Sequence, residues 1–295
     1  MPERAAGREL LVTGATGNVG AEILSRFADD SKGIKVYAGV RDIAKAKSQL
    51  EALNTIECRH FDFEEPSTFT TALSGIDTVF LLRPPHLADV QRYFSPLVDA
   101  FVDSQVSQVV FLSVQGAEKL PMIPHRKIEV LLQKKQLATI FLRPSYFMQN
   151  LTTSLWDEIH SKRSISLPAG KGQFNWLDIE DLADLAHNFI LNFDAYKNSA
   201  WVVSGQENLD FATVVNRLNQ ICGTSIVYHA LSPWRYIQLK RAEGMKLDKT
   251  LVTLMLHFLP RIQGPPAIVP TLEAVLARKP RSITQFILKH KAKFG

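Results

Sequence analysis

Short apolar runs alternate with longer segments of helical spacing through the first half of the chain. Leu10-Leu11-Val12 comes first and is followed by a helix-compatible run, Ala21 to Phe27. Further strand-like runs lie at Ile34 to Val40, Thr55 to Phe61, Asp77 to Leu82, Val109 to Leu112 and Thr139 to Leu142. The clearest helix between them is His86 to Ser104, where Leu87, Val90, Phe94, Leu97, Val98 and Phe101 recur on one face. Strands joined by helices pair in parallel through right-handed crossovers, so the pattern predicts an α/β fold with a doubly wound parallel sheet. Ligands on such sheets sit beyond the carboxyl ends of the strands, which makes each strand-end residue a site candidate.

After residue 150 the alternation loosens. Ser161 to Trp176 holds Pro168, Gly170 and Gly172 and reads as a mobile loop or hairpin, able to act as a lid. Asp178 to Leu191 is helical, Trp201 to Ser204 adds an edge strand, and from Phe211 the pattern is mainly helical, with a short strand at Ser225 to Tyr228. Pro265 and Pro266 punctuate a linker before two closing helices, and Lys289, Lys291 and Lys293 suit a solvated helix end.

Composition narrows the class. With 295 residues, 46% hydrophobic and 21% charged, the chain has the makings of a globular core. Leu251 to Leu259 is the longest late apolar run; it is too short to span a bilayer and reads as a core-facing helix or the lining of an apolar pocket. No apolar stretch is long enough to span a bilayer, so no membrane partner is expected; Met1 to Arg8 lacks an apolar signal region, so a cytoplasmic location is expected. Cys58 and Cys222 form neither a disulfide framework nor a metal pair, and no metal is expected; Cys58 falls in a strand and reads as a buried thiol. The formal charge of +5 could attract an anionic cofactor but brings no nucleic-acid motif with it.

The candidate chemistry begins at Thr13-Gly14-Ala15-Thr16-Gly17-Asn18-Val19-Gly20, between the first strand and the first helix. A glycine turn opening a helix receives a dinucleotide pyrophosphate on free backbone amides, helped by the helix dipole. The second strand ends in Arg41-Asp42. An arginine there accommodates the 2′-phosphate of NADP, and Lys45 lies four residues on; Asp42 could serve the ribose of NAD instead. Asp62 and the Phe63 backbone, after the third strand, could read adenine. Arg83 and Pro84 follow Leu82 at the end of the fourth strand, where Arg83 contacts phosphate or substrate or else lies at the surface. Ser113 ends the fifth strand and either polarises a carbonyl or forms a turn. Pro144, Ser145, Tyr146 and Phe147 follow the sixth and either wall the nicotinamide or close the core.

Together these stretches resemble the NmrA-like branch of the atypical short-chain dehydrogenase/reductases. The likeness rests on Val12 to Gly20, Val40-Arg41-Asp42, Gly75-Ile76-Asp77, Leu112-Ser113, His125 to Glu129, Leu142 to Asn150 and Trp176 to Ala183. It implies a Rossmann domain over 1–155 that also takes in about 175–204, and a smaller substrate-binding region over 156–174 and 205–295. It implies cofactor contacts at Gly14, Ala15, Thr16, Gly17, Asn18, Val19, Arg41, Asp62, Phe63, Leu82, Arg83, Pro84, Ser113, Pro144, Ser145, Tyr146 and Phe147. The Tyr-x-x-x-Lys pair of typical short-chain dehydrogenases is missing near residues 113 to 135. Isoflavone-reductase-like relatives carry a lysine where Pro121 stands here, with Lys119 and Lys127 out of frame. Ser113, His125, Lys127 and Tyr146 remain as candidate catalytic residues.

Two functions follow from the resemblance. One is an NAD(P)H-dependent reductase of an apolar acceptor such as a quinone, a dye or an aromatic carbonyl or imine compound. Under it, Trp234, Tyr236, Met255 and Phe258 wall a substrate pocket or pack the core. The other is a non-catalytic dinucleotide sensor that binds a protein partner.

Overall fold

The computed structural model describes residues 8–53 and 55–295; Met1 to Gly7, where the missing signal region was read, lie outside the described residues. The strands in chain order are β1 (Glu9–Val12), β2 (Lys35–Val40), β3 (Glu57–His60), β4 (Thr78–Leu82), β5 (Gln108–Leu112), β6 (Ala138–Pro144), β7 (Tyr146–Phe147), β8 (Ser164–Leu167), β9 (Phe174–Leu177), β10 (Ser199–Val203), β11 (Asn208–Leu209) and β12 (Val227–Ala230). The chain divides into two units. The first runs to Pro144 and takes in Leu182–Val202; the second comprises Ser145–Asp181 and Val203–Gly295.

The first unit is built on a seven-stranded sheet of order β10-β6-β5-β4-β1-β2-β3. Strands β1 to β6 pair in parallel, with Val12 beside both Ala38 and Phe80, and Leu82 beside Leu112. The order reverses at β1, the topological switch point of a Rossmann sheet. Because helices cover both faces, the strands are apolar throughout: Leu10, Leu11 and Val12 are all buried. One face packs Leu11, Val79, Leu81, Val109 and Phe111 against Phe94, Leu97, Val98, Phe101, Ile128 and Leu132. At the helix Asn18–Asp29, Arg26 bonds Asp184 at 2.5 Å and Phe27 meets the His187 ring edge-on at 4.6 Å. That places the predicted helix, Ile179–Leu191 in the structure, where its Leu182–Leu191 part belongs to the first unit.

The predicted helix over 86–104 is two helices, Val90–Tyr93 and Ser95–Asp103. Pro96 lies in the first turn of the second and lacks the N–H that would bond back to Arg92, so the ladder breaks there. Cys58 is half-buried rather than buried, because β3 is an edge strand; burial still raises its thiol pKa.

The second unit holds a three-stranded sheet, β11-β9-β7, and a parallel pair, β12-β8. The predicted loop or hairpin over 161–176 is neither. Its β8 and β9 belong to different sheets, and Ile165, Leu167 and Ala169 between and within them are buried, which removes the lid reading. Their core partners include Leu151, Ile159, Phe211, Val214 and Ile287. The closing lysines Lys289, Lys291 and Lys293 are all exposed, as a solvated helix end requires; Lys289 also pairs with Glu180, and Lys293 donates to the Thr152 carbonyl at 3.0 Å while lying over the Trp156 ring. The helix Leu247–Phe258 buries only Thr250, Leu254 and His257; Leu251, Val252, Met255 and Leu256 are exposed, so the core-facing reading holds for one stripe alone. Among the described residues no helix is long and apolar enough to cross a membrane.

Candidate functional site

The carboxyl edge of the large sheet gathers the candidates of the first unit in strand order. Asp62 follows β3, Arg41 follows β2, the glycine turn follows β1, Arg83 follows β4 and Ser113 follows β5, with Pro144 ending β6. A residue order scattered over 130 positions in the sequence becomes one continuous line along the sheet, because parallel strands all end on the same side.

At the centre, Thr13 locks the turn. Its buried hydroxyl donates to the Phe80 carbonyl at 3.2 Å and accepts from the Leu82 amide at 2.8 Å. Gly14 has φ +62°, which favours glycine, and an added Cβ would also press on Leu82 Cδ2 at 3.0 Å. Gly20 brings the helix down on the turn, where a Cβ would stand 2.3 Å from the Gly14 carbonyl oxygen. Thr16, Gly17 and Asn18 are exposed, and Gly17 caps the helix with no side-chain hydrogen bond to its first amides. Those amides and the helix dipole form an anion cradle, and the residues fit a dinucleotide pyrophosphate. Ala15 and Val19 are buried beneath the turn and shape it from behind.

Arg41 is exposed at the end of β2. Asp42 next to it caps the following helix, accepting from the Lys45 amide at 3.0 Å. Asp62 likewise accepts from the Glu64 amide at 2.9 Å and so holds a tight turn, while the Phe63 ring is sunk among Phe61 and Phe94 and leaves only its backbone to read a ligand. Arg83 Nη1 donates to the carbonyls of Pro84, Pro85 and Leu87 at 3.0 to 3.1 Å, fixing the proline loop.

Ser113 is not free to polarise a carbonyl. Its only proton goes to Glu129 Oε1 at 2.7 Å, and both residues are buried. Glu129, on the helix Pro124–Lys134, also accepts from Arg126 at 2.9 Å and, in a bidentate fork, from Arg143 at 2.9 and 2.8 Å. Glu118 adds a second carboxylate to Arg143 at 3.0 Å. These arginines and the Ser113 hydroxyl hold the Glu129 carboxyl below its usual pKa, against the opposing pull of burial. The network ties β5, β6 and the helix together, and the sequence reading gave none of its members this role. Its signal is an acid at position 129 beside the apolar stripe residues Ile128 and Leu132.

His125 is a poor proton donor. Burial, with the Arg83 guanidinium beside it, lowers its pKa to about 3, so it is neutral near pH 7. Lys127 is exposed.

Ser145, Tyr146 and Phe147 belong to the second unit. Ser145 Oγ donates to Asn175 Oδ1 at 2.7 Å, and β7 pairs with β9, Tyr146 beside Trp176 and Phe147 beside Leu177. Tyr146 meets Phe174 and Trp176 edge-on, both at 5.1 Å between ring centres. Its hydroxyl lies 3.0 Å from His257 Nε2, and His257 Nδ1 lies 2.8 Å from the Thr253 carbonyl. A carbonyl only accepts, so Nδ1 carries the imidazole proton and Nε2 takes that of the phenol. Burial raises the Tyr146 pKa and lowers that of His257 to about 4, keeping both neutral. Tyr146 therefore spends its proton inside the unit. Tyr236 is buried with its hydroxyl on Thr253, whereas Trp234 and Met255 are exposed, so these aromatic and aliphatic side chains do not form a single wall.

Three comparisons bear on this geometry. An NAD(P)H azoreductase of Xenophilus azovorans is 29% identical over 292 residues, covering 97% of this chain and 99% of that protein. The crystal structure of an NADPH-dependent quinone oxidoreductase of Escherichia coli with NADPH superposes with a TM-score of 0.80 at 18% identity, over 94% of this chain and 98% of the other. NmrA, a negative transcriptional regulator solved with NADP, gives 0.75 at 12% identity, over 97% and 96%. These two likenesses are of fold alone. The sequence pattern of the NmrA-like family matches residues 7–256, and the chain belongs to that family.

Proposed function

We propose that the protein is an NAD(P)H-dependent reductase that passes hydride to a small, electron-poor, apolar acceptor such as a quinone or an azo or related dye. The observation that carries this reading is the uncapped glycine turn at the switch point of the sheet, with Thr13, Gly14 and Gly20 built to hold it open. The bound dinucleotide would supply the hydride. The chain's part is to grip the pyrophosphate at Gly14 to Val19, the adenine end at Asp62 and the Phe63 backbone, and the nicotinamide end at Leu82, Arg83, Pro84, Ser113 and Pro144, all in the first unit. Proximity and orientation then supply most of the rate.

NADP is the favoured form. Arg41 is exposed and available to a 2′-phosphate, while Asp42, the competing ribose ligand, is occupied as a helix cap. The acceptor class follows from protons. Ser113 and Tyr146 have theirs bound to Glu129 and His257, and His125 is neutral. A carbonyl reductase needs a placed acid. A quinone or dye does not, since hydride addition leaves a stabilised anion that water protonates.

The same shortage of donors favours a second reading, a dinucleotide sensor whose partner distinguishes oxidised from reduced cofactor. Steady-state oxidation of NADPH against a panel of quinones and azo dyes separates the two. Turnover with at least one acceptor is expected; tight NADPH binding without turnover on any of them overturns the reductase reading.

A further inference from the structure

The helix Leu247–Phe258 is inverted. The stripe it turns inward is Thr250, Leu254 and His257, while Leu251, Val252, Met255 and Leu256 face solvent at spacings i, i+1, i+4 and i+5. Val252 is 69% exposed, and Ile262, in the next helix Pro260–Gln263, is 68% exposed. An outward face more apolar than the inward one belongs against something apolar.

Charge identifies the occupant. From 235 to 263 the chain holds six lysines and arginines against Glu243 and Asp248, a surplus of four in a chain whose whole surplus is five. Lys240 and Glu243 pair at 2.9 Å, which leaves Arg235, Arg241, Lys246, Lys249 and Arg261, all exposed, against Asp248 alone within the segment. A second copy of the chain would set this positive surplus against itself in a two-fold contact. An anionic lipid surface answers both features: aliphatic side chains enter the acyl boundary, and flanking lysines and arginines meet the headgroups.

We infer that the helix Leu247–Phe258 and its basic flanks form a docking face for an anionic bilayer surface. The helix lies on the membrane and does not span it. The expectation of no membrane partner came from the absence of a spanning run, and an interfacial helix needs none. The inference rests on this helix alone and not on the reductase reading.

The test is co-sedimentation of the full chain with vesicles of phosphatidylcholine alone and of phosphatidylcholine mixed with phosphatidylglycerol, at low and high salt. Binding is expected to the mixed vesicles only, and to weaken with salt. Two variants dissect it: Val252→Asp with Leu256→Asp, and Lys246→Glu with Lys249→Glu. Each is expected to lower the partition coefficient at least about tenfold. All four positions are exposed, so the circular dichroism spectrum and NADPH binding should not change. No binding to the mixed vesicles, or equal binding by the aspartate variant, overturns the inference. So does a wild-type dimer in solution that the aspartate variant converts to monomer, because that assigns the face to a second copy.

Discussion

Ser113 stands at the strand end where a carbonyl-polarising serine is expected, yet its proton is bound to a buried carboxylate, and the two roles predict opposite outcomes for Ser113→Ala. Glu129 accepts four hydrogen bonds, one from Ser113, one from Arg126 and two from Arg143. A hydrogen bond to a charged acceptor contributes about 1.5–3 kcal/mol. The substitution leaves the carboxylate with both arginines, so its expected cost is at the lower end, about 2 kcal/mol. Glu129→Gln is the harsher change. It sets an amide NH2 among arginine donors and removes the counter-charge; breaking a buried pair costs about 3–5 kcal/mol. Glu118, at 3.0 Å from Arg143, softens that loss. Domains are stable by about 5–15 kcal/mol, so Glu129→Gln should be measurably unfolded at moderate urea and Ser113→Ala should not. Urea titration followed by circular dichroism gives the ranking wild type, Ser113→Ala, Glu129→Gln. Turnover per folded molecule should change less than about threefold in Ser113→Ala. A variant of unchanged stability whose kcat falls about a hundredfold would refute this, and would make Ser113 a donor to the substrate.

Other outcomes follow from single groups. Arg41→Ala should weaken NADPH binding about tenfold or more and leave NADH unchanged, as read by titration of nicotinamide fluorescence, because a charge-assisted phosphate contact is worth about 1.5–3 kcal/mol. His257 has a folded pKa near 4 against an ordinary 6.5, so the unfolded chain binds more protons between those values. Its contribution is fully present above pH 6.5 and is lost as pH falls toward 4, on the order of 3 kcal/mol, with His125 acting in the same direction. The Tm of His257→Gln should therefore fall less steeply than that of wild type across this window; parallel curves would contradict the assignment.

Much of this architecture is legible in sequence because two-sided burial writes strands as bare apolar runs. Leu10-Leu11-Val12 and Val109 to Leu112 are strands where the pattern puts them, within a residue. The glycine turn and the strand-end residues are legible for the same reason, since parallel strands carry their ends to one edge. What the chain order hides is the partner of each side chain. Nothing local joins Ser113 to Glu129, or Tyr146 to His257, 111 positions away. Pro168, Gly170 and Gly172 signal a loop, but Ile165 and Leu167 are pulled into the core by β12, a strand some 60 residues on. Leu251 to Leu256 look like core by composition; only the structure turns four of them outward.

The account depends on the first-crossover turn binding a pyrophosphate, and the most direct measurement is NADPH titration of the wild type and of Gly17→Asp by isothermal calorimetry. Gly17 is exposed with φ −84°, a conformation open to aspartate; its Cβ would stand 3.2 Å from the Gly14 carbonyl oxygen, a tight contact that needs a shift of a few tenths of an ångström, and the side chain brings a negative charge to the anion cradle. Saturable binding by the wild type, weakened at least about a hundredfold in a folded variant, is the predicted result. Equal affinity in the two proteins, or no heat with either, would contradict it.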